Sequence, residues 1–413
     1  MAGSRDSPRA WRVAAICAVG MMVSVVPFHI GTFPLFLQPV SGEFGWGRAA
    51  FAISINISAL TAALVAPVAG RLVDRLGGRR VLVPSIIAYG IALMAQSQLT
   101  PSWLPFCLLY FALGMAEAAA GPVAYSQVIA SWFTAKRGLV LALVVGATVT
   151  VSTAVMIPVT RMLIDDHGWR TAYVVLGAIV LVLGLPAMLL LPRERPTPAA
   201  PTEAAAAMPL VGLTAGQALA GATFWLVAGG LVIHSLVVGG VRGHLFLLLT
   251  DRGLSADTAT LALSMLALAG LAGNIVSGLL MDRIGSPRIA LPFFVAALLG
   301  LLLLDHAPGA ASSVAGAAVL GFGIGAESGL GPYFVSRYFG LRSFGQIYGC
   351  IISMFAISSG LGPYLLGLAY DRAGSYQAGL IVAEIALCVG VVLIGSLGPY
   401  VYAARRQAAA EPA

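Results

Sequence analysis

Apolar residues run along this chain in long stretches separated by short polar breaks. A helix that crosses a bilayer needs about 20 mostly apolar residues. Twelve such stretches are present, near 13–37, 49–70, 81–98, 103–128, 138–160, 171–191, 222–248, 258–280, 288–304, 311–335, 344–369 and 377–402. Barrel strands alternate polarity over about ten residues, and runs such as Leu176–Leu191 show no alternation. The pattern predicts an all-α membrane protein with twelve transmembrane helices, numbered here as spans 1 to 12.

Composition agrees. Of 413 residues, 59% are hydrophobic and 9% are charged, against roughly 25% charged in soluble domains. That excludes a cytosolic enzyme, a disordered tail and a nucleic-acid binder, because the basic residues sit between apolar runs instead of forming a stripe. The first apolar run is too long for a cleaved leader. With the N-terminus in the cytoplasm, 17 of the 23 Lys and Arg residues lie on the cytoplasmic side, Arg5, Arg193, Arg195, Arg405 and Arg406 among them. This bias predicts that both termini are cytoplasmic. Cys17, Cys107, Cys350 and Cys388 all fall inside spans, with no disulfide or metal spacing.

The longest polar break, rich in proline and alanine, is residues 192–216 and reads as a cytoplasmic linker. It divides the chain into an N-terminal six-helix bundle, residues 1–191, and a C-terminal one, residues 217–413. The two repeat each other. Gly70–Arg80, after span 2, matches Gly278–Arg288, after span 8, with Asp74 and Asp282 at 208 residues' separation. Glu117 followed by Gly121-Pro122 matches Glu327 followed by Gly331-Pro332, and Asp165…Gly168 matches Asp371…Gly374. Three concordant pairs predict two pseudo-symmetric bundles with a site between them near mid-depth.

The loop motif Gly70, Leu72, Asp74, Arg75, Gly77, Arg79, Arg80, with its degenerate copy at Gly278, Leu279, Asp282, Arg283, Gly285, Arg288, resembles that of the major facilitator superfamily. Within it the chain is similar to the monocarboxylate and oxalate/formate branch. Phe44-Gly45-Trp46-Gly47-Arg48, Trp132-Phe133…Arg137-Gly138-Leu139, Tyr338-Phe339-Gly340-Leu341-Arg342 and Gly362-Pro363…Asp371 carry that likeness. The resemblance implies a cavity lined by spans 1, 4, 7 and 10. It also implies that Gly70, Asp74, Arg75, Arg79, Asp282 and Arg283 gate the conformational cycle. Where monocarboxylate carriers place a substrate-pairing Arg in span 8, this chain has Asn274.

An ionisable side chain at mid-membrane is costly and points to function. Glu117 and Glu327 lie in spans 4 and 10, His29 in span 1, and His234, Arg242 and His244 in span 7. Burial disfavours the charged form of a carboxyl, which suits Glu117 and Glu327 to proton coupling. Packing between small residues is the competing role for Glu117. Arg242 stays charged and is the candidate anion anchor, with pairing to Glu327 as the alternative. His29, His234, Tyr125 and Asn274 complete the candidate substrate site. Tyr125 falls within about 80° of Glu117 on an ideal helix.

These readings predict a secondary active transporter, not an enzyme, that moves a small organic anion, in the first instance a monocarboxylate. Transport is expected to be proton-coupled, across an inner membrane, by alternating access and as a monomer. The alternatives are proton-driven efflux of amphipathic or aromatic compounds and uptake of a neutral metabolite or vitamin. No P-loop is present, and no cofactor or metal is expected. The partners are the substrate, protons and the lipid bilayer.

Overall fold

The structure, a computed structural model, describes residues 7–46, 48–133, 135–192, 212–307 and 309–400, with the backbone alone at 48–52. Most of the linker, 193–211, lies outside the described residues, as do Gly47 and the basic residues Arg5, Arg193, Arg195, Arg405 and Arg406. The described chain is helical, with a single isolated bridge between Gly212 and Gly340. Helices satisfy their backbone groups internally, which lipid demands.

Eleven helices are long and apolar enough to cross a membrane. One of them, Arg137–Leu190, is 54 residues long and contains two crossings. It breaks at Gly168, whose φ of 81° and ψ of 161° are not helical. Counting it as spans 5 and 6 gives the twelve-helix architecture. Three spans are locally wound as π-helix, at Val26–Ile30, Ala142–Ala147 and Val180–Gly184, a deformation common at functional sites.

The chain forms two compact units. The first comprises Met1–Ala135, Ala147–Val211 and Leu341–Ser353, and the second Lys136–Gly146, Gly212–Gly340 and Met354–Ala413. Each unit therefore contains the start of a helix, span 11 or span 5, that belongs in sequence to the other half.

Within the first unit, Phe44 and Trp46 form an aromatic corner. Gly45, at φ 67°, ends the helix Phe33–Phe44, and Trp46 packs edge-on against Phe44, Trp103 and Phe106. Arg161 and Asp165 form an exposed i,i+4 ion pair at 2.6 Å, a geometry that contributes little.

Within the second unit, spans 8 and 10 approach closely over small residues, the usual means of packing helices in lipid. Gly321 lies on the backbone of Leu266, and Gly273 on that of Phe322. A side chain at Gly321 has no room, because its Cβ would meet main-chain atoms that cannot swing away. Gly321→Val should cost about 1–3 kcal/mol by overpacking, read as a lower melting temperature in detergent. Gly216→Ala, where a Cβ meets nothing within 4 Å, should leave that temperature unchanged.

Candidate functional site

The polar residues of spans 1, 4, 7 and 10 meet as two histidine–glutamate pairs. In the first unit, His29 Nδ1 hydrogen-bonds the carboxyl of Glu117, and the two side chains are 1% and 3% exposed. In the second unit, His234 Nδ1 lies 3.3 Å from Glu327 Oε1, with exposures of 2% and 12%. Both imidazoles keep a buried Nε2 without a hydrogen-bond partner among the described residues.

Local breaks in the helices position these groups. His29 sits in the π-helical turn Val26–Ile30, with Thr32 Oγ1 donating to the carbonyl of Phe28 at 3.0 Å. Glu117 lies near the end of the helix Trp103–Ala120, which stops at Gly121 in extended backbone before Pro122 restarts it. Glu327 opens the helix Glu327–Tyr338, immediately after a turn at Ala326.

The surroundings of the pairs differ. His29 faces Phe33 edge-on and lies 6.0 Å, centroid to centroid, from Tyr110. The hydroxyls of Tyr110 and Tyr173 are 3.3 Å apart. His234 lies 4.6 Å from the ring of Phe294. Asn274 is buried beside Glu327's helix, where its Nδ2 donates to the Gly325 carbonyl at 3.0 Å and to Ser328 Oγ at 2.6 Å. Asn274 thus seals the break in span 10.

Arg242 lies eight residues, about 12 Å along the helix, beyond His234. It is exposed, and no described carboxylate lies within ion-pairing distance. Glu327 is engaged by His234, so the alternative pairing of Arg242 with Glu327 is not formed. His244 bonds Tyr376 Oη and the Pro363 carbonyl at 3.1 and 2.9 Å, fixing span 7 to span 11 and the loop after it. The break at Gly121 changes the helical phase, and Tyr125 is buried against Gly20 of span 1, where a Cβ would meet its hydroxyl at 2.6 Å.

At the loop motifs the two aspartates do the same thing. Asp74 accepts the backbone N–H groups of Gly345 and Gln346, both at 2.9 Å, and the amide of Gln127 at 2.6 Å. Asp282 accepts those of Gly138 and Leu139 at 2.6 and 2.8 Å. Each carboxylate binds the otherwise unsatisfied N–H groups at the start of a helix. Gly70 permits this approach, because a Cβ there would collide with the Gly345 carbonyl. Arg79 Nη1 donates to the Leu191 carbonyl at 3.1 Å, while Arg75 and Arg283 are exposed.

Sequence reasoning named both glutamates and both histidines but not their partnership. The signal was present: His29 and His234 are 205 residues apart, next to the 208 and 210 that separate the two aspartates and the two glutamates. Tyr110, Tyr173 and Ser328 were missed, since a lone hydroxyl in an apolar run carries no spacing signal.

Known proteins resemble the chain throughout its length. The sequence profile described as Major Facilitator Superfamily matches residues 13–363 and 245–411. The human monocarboxylate transporter 11 is 26% identical over 84% of this chain and 81% of its own. The gallate transporter of Pseudomonas putida is 25% identical over 86% and 87%. The crystal structure of the human organic anion transporter MFSD10 superposes with a TM-score of 0.72 at 15% identity, covering 94% of this chain and 100% of that one.

A charge-assisted hydrogen bond contributes about 1.5–3 kcal/mol. Asp74→Asn should therefore speed hydrogen exchange at Gly345 and Gln346 by about tenfold or more, and Asp282→Asn should do so at Gly138 and Leu139. Exchange mass spectrometry on peptides covering these helix starts checks it.

Proposed function

The chain belongs to the major facilitator superfamily, and on that premise we propose that it carries a small organic anion, a monocarboxylate, together with a proton. The observation that carries this reading is the state of Arg242. An intramembrane cation costs about 2.5–3.5 kcal/mol at a helix centre and needs a counter-charge. The intramembrane glutamates are held by histidines, which leaves Arg242 for a substrate carboxylate. The relatives named for monocarboxylate and gallate favour a carboxylate with an apolar or aromatic body.

In this mechanism Arg242 takes the place of the span 8 arginine that Asn274 replaces. The proton neutralises a buried glutamate. Without it, the negative charge of the Glu327 pair draws on Arg242 and competes with the substrate, so protonation and anion binding favour each other. Asp74 and Asp282 hold the starts of spans 11 and 5 in one state and release them in the other. The carrier works by alternating access in an inner membrane, as a monomer with both termini in the cytoplasm.

The test is counterflow of labelled lactate, benzoate and gallate into proteoliposomes, with and without an inward proton gradient. The gradient should stimulate entry of at least one of these acids. Arg242→Ala should weaken its half-saturation by about 10–100-fold, the loss of one charged hydrogen-bonding partner. Unchanged carboxylate uptake in that variant would remove the anion assignment, and transport of only cationic amphiphiles would favour the efflux reading.

A further inference from the structure

The duplication supplies two histidine–glutamate pairs, and they are not equivalent. Three observations separate them. Glu117 is sealed at 3% side-chain exposure, whereas Glu327 reaches accessible space at 12%. The contact of His29 with Glu117 is tight, whereas His234 and Glu327 stand 3.3 Å apart.

The third difference is the end of the helix on which each glutamate stands. Glu117 is in the last turn of Trp103–Ala120, where the helix dipole presents its negative end and opposes a bare carboxylate. Glu327 is the first residue of Glu327–Tyr338, where the positive end accommodates one. The same pair chemistry thus sits at opposite poles of a helix.

The groups facing the pairs do not reverse this contrast. Around His234–Glu327 they are the Phe294 ring and, through Ser328, the Asn274 amide, both uncharged. The ionisable group nearest along span 7 is Arg242, which favours a negative pair. Glu384 of span 12 is engaged by His306 at 3.1 Å. Around His29–Glu117 stand Tyr110, Tyr173 and Tyr89, with no described cation to compensate a lost proton.

We propose that only the His234–Glu327 pair releases and regains a proton during transport, one per cycle, while His29–Glu117 keeps its proton and serves as a neutral clasp between spans 1 and 4. The proton comes from water on one side, occupies the pair, and returns to water on the other. This rests on the proton-coupled reading above and assigns its site and number.

Infrared titration of the purified full chain tests the assignment without any substrate, so it stands apart from the transport assays. A protonated glutamate shows a carboxylic C=O stretch that disappears on deprotonation. Between pH 5 and pH 9 one such band should titrate in the unaltered protein. It should be absent from Glu327→Gln and retained in Glu117→Gln, while a second, pH-insensitive band should vanish only in Glu117→Gln. A titrating band that persists in Glu327→Gln, or that disappears in Glu117→Gln, overturns the proposal. Glu327→Gln decides alone if Glu117→Gln does not fold. If neither variant folds, His234→Asn should move the midpoint of the band and His29→Asn should not, and the reverse pattern overturns it. Absence of gradient stimulation in the unaltered protein would instead defeat the coupled reading, with the band assignments unaffected.

Discussion

Inside a bilayer a polar side chain finds no water, so its partner must be built into the protein. That constraint organises this chain. Its intramembrane glutamates are closed by histidines, and the broken carbonyl at Gly325 is closed by Asn274. The unfilled N–H groups at two helix starts are closed by Asp74 and Asp282. Arg242 stands outside this closure.

The helices that carry these groups are interrupted where the groups sit. Span 1 is π-wound at His29, span 4 stops four residues after Glu117, and span 10 turns immediately before Glu327. Proline and glycine weaken a helix at little cost when neighbouring helices re-satisfy the backbone. Here Asn274 of span 8 does so for Gly325 of span 10, and in span 1 Thr32 does so from within the same span, for the Phe28 carbonyl. The run Glu-x-x-x-Gly-Pro recurs in each half, but the helix breaks after the glutamate, at Gly121, in span 4 and before it, at Ala326, in span 10.

Much of the fold was legible because hydropathy is a local property. The spans, the duplication and the loop aspartates all follow from residues close together in sequence. Partnership is not local. His29 and Glu117 are 88 residues apart, and only the comparison of offsets between halves hints that they belong together. Tyr125 shows the opposite failure. An ideal-helix projection from Glu117 ignored the extended backbone at Gly121, so the phase was lost across the break. Asn274 stands at a position that suggests substrate contact; its Nδ2 donates to Gly325 and Ser328, and its Oδ1 keeps no partner among the described residues. The boundary of the units was equally hidden. The linker marks the midpoint of the chain, but the carboxylates of Asp74 and Asp282 draw residues 341–353 and 136–146 across it.

That exchange of helix starts bears on biosynthesis. The first unit is incomplete until residues 341–353 leave the ribosome, about 200 residues after span 4. At synthesis rates of about 5–20 residues per second, the 271 residues between Asp74 and Gly345 take about 14–54 s to make, during which the carboxylate of Asp74 lacks its Gly345 and Gln346 donors. During that interval the ends of spans 2 and 3 that carry the loop motif depend on the insertion machinery or on lipid headgroups for their counterparts. A truncation before Leu341 would leave the same surface permanently open to quality-control proteases.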